Sequence, residues 1–168
     1  RVVRPDGEDA QPGEIGTLWV QGDSAALCYW QAHELSKRTL RGDWVVSGDL
    51  FHRDADGFFY YDGRADDLLK IGGIFVSPLE VEDPLLQHPA VLEVAIVGEE
   101  NDSGLVRGLA FVVLKGGYEE NDELELELIA HVRARLAHFK APSRVEFVSA
   151  LPRSDRGKVL RRVLRQGR

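Results

Sequence analysis

Near residue 65 the chain changes character, and that break limits what it can fold into. Upstream the segments are short, aromatic and β-branched, and all three tryptophans (Trp19, Trp30, Trp44) lie there. Downstream, strong strand runs alternate with helical periodicities. Between them Arg64-Ala65-Asp66-Asp67 is a charged bridge with no packing pattern of its own. A length of 168 residues suffices for one ordinary domain or for a small domain plus part of another. The break separates a β-rich first third from a compact α+β unit of about 100 residues, large enough to be an independent domain.

The element pattern supports an α+β class. Glu14 to Gln21 has strand composition and Gly22-Asp23 turns it. Ala32 to Leu40 reads as a short helix and Asp43 to Leu50 as a strand. Asp54-Ala55-Asp56-Gly57 is a turn into the aromatic strand Phe58 to Tyr61. Beyond the break come a short strand, Leu68 to Ile71, and the pair Gly72-Gly73. A helix follows with Ser77 as cap, Pro78 at its first position and Glu80 at its third, ending by His88-Pro89. Strands Val91 to Val97 and Leu109 to Leu114 lead to a helix over about Asn121 to Leu136, whose Leu124, Leu128, Val132 and Leu136 recur every fourth residue. Val145 to Val148 is a last strand, and an amphipathic helix is expected from near Lys158.

Composition removes several function classes. With 43% hydrophobic and 29% charged residues the chain is that of a globular protein. No apolar run approaches the ~18 residues of a membrane span and no basic-then-apolar leader opens the sequence, so a cytoplasmic location is expected and no membrane partner. The absence of methionine leads to the expectation of a fragment. Cys28 lies in an apolar run, where a buried inert thiol is expected. The five histidines show no metal-ligand spacing, so no metal site is assigned. A net charge of −7 argues against nucleic acid as a partner. Seven basic residues between Arg153 and Arg168, against Asp155 alone, suggest either a site for an anionic small molecule or a solvated helix face.

Four segments could carry chemistry. Ser47-Gly48-Asp49, read as leaving a strand, frees a carboxylate to grip a vicinal diol such as a ribose, although such triplets are usually turns. Tyr60 to Gly73 joins an aromatic strand, the Arg64 fork, an acidic joint, Lys70 and paired glycines. Arginine suits hydroxyl and phosphate oxygens, and glycines let a ligand lie against the backbone. Ser77 to Glu82, by itself, is a helix start. Leu151 to Arg161 presents Lys158 on a loop before a basic helix, where an ammonium can neutralise charge developing on a phosphoryl or carboxylate oxygen. Standing alone, that loop is more readily a solvated surface.

In order and spacing these segments resemble the C-terminal third of AMP-forming acyl- and aryl-CoA ligases, relatives of luciferase and of peptide-synthetase adenylation domains. Gly13-Glu14-Ile15-Gly16 through Tyr29-Trp30, Ser47-Gly48-Asp49, Asp62 to Gly73, Leu136 to Pro142 and Gly157-Lys158 all fall in family order, over nearly the whole chain. The stretches Gly72 to Glu82 and Ala90 to Gly98 look most like benzoate-CoA ligases.

The resemblance implies two steps: a carboxylate attacks the α-phosphate of MgATP to give an acyl-adenylate, and the thiol of coenzyme A then displaces AMP. On this likeness Asp49 holds the ribose hydroxyls, Arg64 makes a second ribose contact and Tyr61 packs near the nucleoside. Lys158 bridges carboxylate and phosphate. Asp66 is the hinge of a mobile lid, and Lys70, Gly72 and Gly73 face the pantetheine channel after a swing. The Mg2+ ligands, the phosphate-binding loop and the acyl pocket belong to a large domain outside this chain, so the chain alone is expected to bind ATP weakly or not at all. Two departures stand out. Arg153-Ser154-Asp155-Arg156 replaces the usual Lys-Thr and small residue, and no arginine lies near Phe75. The alternatives are the lid of an adenylation domain that loads a carrier protein, and a non-catalytic α+β interaction module.

Overall fold

The computed structural model describes residues 1–101 and 104–166. The chain divides into two compact units, Arg1–Asp66 and Asp67–Arg168.

The first unit comprises β1 (Val2–Val3), β2 (Gly16–Gln21), helix α1 (His33–Thr39), β3 (Leu40–Arg41), β4 (Trp44–Arg53) and β5 (Phe59–Arg64). Strand β4 is its spine. It pairs antiparallel with β2 on one side, while β3 and β5 share the other side, β3 at the Trp44 end and β5 at the Arg53 end. The turn into β5 is built on Asp54, whose carboxylate accepts from the Asp56 and Phe58 N–H groups and from the Tyr60 hydroxyl. Desolvation pushes the Asp54 carboxyl up, but the bonds from Phe58, Tyr60 and Asp56 outweigh it and hold it below its ordinary value; the same carboxylate raises Tyr60. Only Val2, Val3, Ala10 and Leu50 are buried apolar side chains here, while Trp30, Phe58, Phe59, Tyr60 and Tyr61 are exposed. A sheet that leaves so many aromatics open has not built a self-sufficient core.

The second unit comprises β6 (Leu69–Ile71), β7 (Ile74–Val76), α2 (Pro78–Leu86), β8 (Val91–Glu100), β9 (Val106–Leu114), α3 (Asp122–Arg133), β10 (Arg144–Phe147) and α4 (Arg161–Gln166). Central strand β9 runs antiparallel to β8 and parallel to β10. Alternation along the strands splits the apolar residues between two faces. On one face Val94, Ile96, Ala110, Val112 and Val145 pack with Leu69, Ile71 and Val76 of the β6–β7 hairpin and with the apolar stripes of α2 and α3. On the other, Ala95, Val97, Leu109, Phe111 and Val113 pack under Leu151, Val148, Val159 and Leu164. The expected α+β class, a short sheet flanked by helices, is the architecture observed.

Several local expectations are corrected. The Ser47-Gly48-Asp49 triplet lies inside β4 rather than leaving it, because β5 continues the pairing past Asp49 with a register shift after Leu50. Strand β5 itself runs on to Arg64, so part of the charged bridge is sheet. Helix α3 ends at Arg133, with Leu136 part-buried in the turn that follows, and Asn121 caps it by accepting from Leu124 N–H at 2.8 Å. Glu80 pairs with Lys140 rather than closing a capping box. The last helix begins at Arg161, not Lys158, because residues 153–159 are drawn into a closed loop. Cys28 is exposed, because residues 25–32 form irregular loop and turn rather than a packed strand or helix.

Where α2 meets α3, the His131 ring donates through Nε2 to Pro84 O at 3.1 Å and stands edge-on to His88. Desolvation, then the charges of Arg135 and His88, lowers its pKa from the ordinary 6.5, against the raising effects of Pro84 O and Glu127. With the folded pKa depressed, the unfolded chain takes up its proton first as the pH falls through about 6.5, so stability is full above that value and declines below it. We expect hydrogen exchange at α2 and α3, corrected for intrinsic rates, to show weaker protection at pH 5.5 than at pH 7.5. His131→Gln should flatten the difference.

Candidate active site

Three groups of residues carry the chemistry read from the sequence. The first lies across β4 and β5, where the register sets Asp49 opposite Arg64. Arg64 Nη1 donates to Asp49 Oδ1 at 3.0 Å, and its Nε donates to Asp66 Oδ1 at 2.9 Å. One planar guanidinium therefore holds two carboxylates, one in mid-strand and one just past the strand end. Gly48 makes room for it, because a Cβ there would strike the guanidinium. Tyr61 is half exposed, and its ring meets Phe51 edge-on with centroids 5.4 Å apart. Asp49, Tyr61 and Arg64 thus lie on the β4–β5 pair, with Asp66 in the turn just beyond it.

The second group is the hairpin tip between β6 and β7. Ile71 pairs with Ile74, so Gly72 and Gly73 form a two-residue turn with φ of +56° and +86°. That left-handed pair is the geometry matched to strand twist, and a side-chain-bearing residue there costs ~1–2 kcal/mol per position. The two glycines are explained by the turn itself. Lys70 is exposed beside them, its Nζ 6.0 Å from the centre of the Phe75 ring.

The third group is the loop that carries Lys158. Arg153 and Val159 face each other in an isolated bridge. Ser154 N–H donates to Lys158 O at 2.8 Å, and Ser154 Oγ accepts from Lys158 N–H at 3.2 Å. Gly157, at φ +79°, closes the turn. Arg153 fastens it from outside, donating to Gly157 O and to Glu93, both at 2.7 Å. Arg153 and Ser154 are thus the residues that tie the loop shut. Lys158 is exposed and, among the described residues, its ammonium makes no ion pair. The loop's anchors Leu151 and Val159 pack on the face of the β8–β9–β10 sheet opposite the face that receives the β6–β7 hairpin. Lys158 and Lys70 are therefore carried on opposite faces of one small unit.

One constellation was not read from the sequence. Glu82 of α2 is only 5% exposed. It accepts from Ile96 N–H at 2.7 Å and from Arg161 Nη2 at 2.7 and 2.9 Å. Arg161 Nη1 and Arg165 Nη2 also face Asp67, at 3.7 and 3.5 Å. The signal was present: Pro78, Val81, Glu82 and Leu85 share the i, i+3, i+4, i+7 stripe, so a carboxylate sits on the buried face of α2. Arg153, Arg161 and Arg165 are thus engaged in ion pairs within the unit, which narrows the basic tail to Arg156, Lys158 and Arg162; Arg168 lies outside the described residues. Among the described residues no three His, Cys, Asp or Glu side chains gather as a metal site. No helix among them is long and apolar enough to cross a membrane.

Residues 80–158, from α2 to the exposed lysine, match the model of the AMP-binding enzyme C-terminal domain. The chain carries an AMP-binding enzyme C-terminal domain. The chain is 43% identical, over 98% of its length, to a benzoate–CoA ligase of Thauera aromatica, of which it spans 32%. A sulfoacetate–CoA ligase of Cupriavidus necator is 37% identical over 96% of the chain and 31% of that protein. A benzoate CoA ligase of Burkholderia xenovorans superposes with a TM-score of 0.91 at 44% identity, over 98% of the chain and 33% of that structure. The chain spans about a third of the length of the relatives it matches. Relatives named for acids as unlike as benzoate and sulfoacetate thus align over nearly the whole of this chain.

Proposed function

We propose that this chain is the C-terminal portion of an AMP-forming acid:CoA ligase, with residues 1–65 the end of its large domain, Asp66 the hinge and 67–168 a mobile lid. The parent activates a carboxylic acid, aromatic and benzoate-like, with ATP to an acyl-adenylate and pyrophosphate, and then transfers the acyl group to coenzyme A with release of AMP. The observation that carries this reading is the exposed Lys158 ammonium, held on a fastened loop on one face of the lid while Lys70 and the Gly72-Gly73 turn occupy the other. Adenylation needs positive charge at the α-phosphate; thioester formation needs that charge withdrawn and a thiol admitted. A two-faced lid swinging about Asp66 meets both needs in turn. Relatives named as CoA ligases favour coenzyme A over a carrier protein as acceptor.

In the large-domain piece, Arg64 orients Asp49 through Oδ1 so that its carboxylate can accept from the ribose hydroxyls. Arg64 supplies a second ribose contact, and Tyr61 packs beside the nucleoside. Mg2+ enters with ATP, on ligands outside this chain. The use of ATP and coenzyme A points to a cytoplasmic enzyme.

The full-length parent incubated with ATP, benzoate and coenzyme A should release AMP and pyrophosphate and yield an acyl thioester by mass spectrometry. Thioester on a phosphopantetheinyl carrier but not on coenzyme A would assign the carrier-loading alternative, and no acyl-adenylate with any carboxylic acid would leave the non-catalytic module. In an active parent, Asp49→Asn should raise the KM for ATP by roughly ten- to a hundredfold, the cost of losing a charge-assisted bond.

A further inference from the structure

Arg161 lies three residues beyond Lys158, at the first position of α4. Its guanidinium spans two carboxylates. Nη2 grips Glu82 at 2.7 and 2.9 Å, and Nη1 faces Asp67 at 3.7 Å. Glu82 is anchored in turn by Ile96 N–H on the unpaired edge of β8, and it is almost wholly buried. Asp67 is the residue after the joint at Asp66, and Arg165, one turn along α4, faces it as well. The segment leaving the Lys158 loop is thereby tied both to the edge of the lid's sheet and to the residue where the lid begins. Apolar packing could hold α4 on the sheet through Leu164. It would not specify the angle at which the helix leaves the loop, whereas a forked donor between two fixed acceptors does.

We propose that Arg161, with Glu82 and Asp67, positions Lys158 for the first half-reaction and locks the Lys158 loop to the first residue of the lid, so that the loop and the base of the lid move as one rigid piece. This rests on the function proposed above. Arg161 is a positioning residue: it acts through Lys158 and touches no substrate. Loss of the lock lets the ammonium wander, and a misplacement of about 1 Å in a group that must meet a developing charge costs on the order of a hundredfold in rate. Binding of ATP, assigned to Asp49 and Arg64 in the other unit, is left alone, as is the thiol-facing side at Lys70.

The test uses the full-length parent and measures the two half-reactions separately: acyl-adenylate formation from benzoate and ATP, and thioester formation from supplied benzoyl-adenylate and coenzyme A. Four variants are compared with Lys158→Ala: Arg161→Gln, Arg161→Lys, Asp67→Asn, and the double variant Glu82→Gln with Arg161→Gln, which leaves no unpaired charge in the interior and guards against misfolding. The double variant should lose ten- to a hundredfold in the kcat of adenylation with an unchanged KM for ATP and an unchanged thioester half-reaction. Asp67→Asn should show the same split more weakly, and Arg161→Lys should recover part of the loss. A merely structural pair would lower both half-reactions together or lower only the melting temperature, and either result overturns the proposal. If Lys158→Ala itself leaves adenylation intact, the functional reading fails instead, which separates the two failures.

Discussion

Replacing Lys158 by alanine in the full-length parent is expected to slow acyl-adenylate formation by a factor on the order of 10²–10³, the usual cost of removing one preorganised charge-stabilising group. The expectation follows from where the side chain is held. Its backbone is bonded on both sides to Ser154, its loop is pinned by Arg153 to Glu93, and its ammonium is left without a partner among the described residues. A lysine kept rigid at its root and unpaired at its tip is poised to meet an incoming anion. Because Lys70 and the hairpin turn sit on the opposite face of the sheet, thioester formation from supplied acyl-adenylate should proceed at its parental rate. Rapid-quench measurement of each half-reaction reads both quantities. Equal losses in the two would mean that the substitution acts through folding, and no loss in either would remove Lys158 from the chemistry.

The largest effect on stability is expected at Glu82. Truncation to alanine strips Arg161 of its buried partner and Ile96 N–H of its acceptor. Removing one member of a buried ion pair costs about 3–5 kcal/mol, most of it the penalty of leaving the other charge in a poorly solvated place. The Arg161 Nε, already buried without a hydrogen-bond partner among the described residues, makes that site especially poor in alternatives. Hydrogen exchange at the β8 and β9 amides of the intact parent should report the loss, since these strands carry the core of the second unit and exchange through its opening. Glu82→Gln keeps an acceptor for Ile96 and should cost less than alanine. A loss below about 1 kcal/mol for Glu82→Ala would mean that water reaches the Arg161 head group and that the pair is effectively a surface bridge.

The legible part of the candidate site was the part written in local chemistry. Asp49, Arg64 and Lys158 announce themselves by residue type beside a glycine or at a joint, and together with Gly72-Gly73 their order carried the family resemblance. The pair Asp49–Arg64 could not be read as a contact, because fifteen residues separate them and only the β4–β5 register brings them opposite. Gly72 and Gly73 were read for what a ligand might need, yet their positive φ values are what a two-residue hairpin needs in any case. Cys28 was misjudged because an apolar neighbourhood in sequence is not a neighbourhood in space.

Periodicity and turn chemistry, then, were enough to determine that an aromatic strand-rich stretch precedes a unit of alternating strands and amphipathic helices, since each of those signals is local and repeats within a few residues. Tertiary structure alone decided which face of the β8–β9–β10 sheet each lysine occupies, and that a glutamate on the apolar stripe of α2 answers an arginine seventy-nine residues away. A sheet's two faces differ only by odd and even positions, and neither parity has meaning until something packs against it. Long-range charge pairs are likewise invisible in order along the chain, because the packing that strips them of water is what gives them their strength.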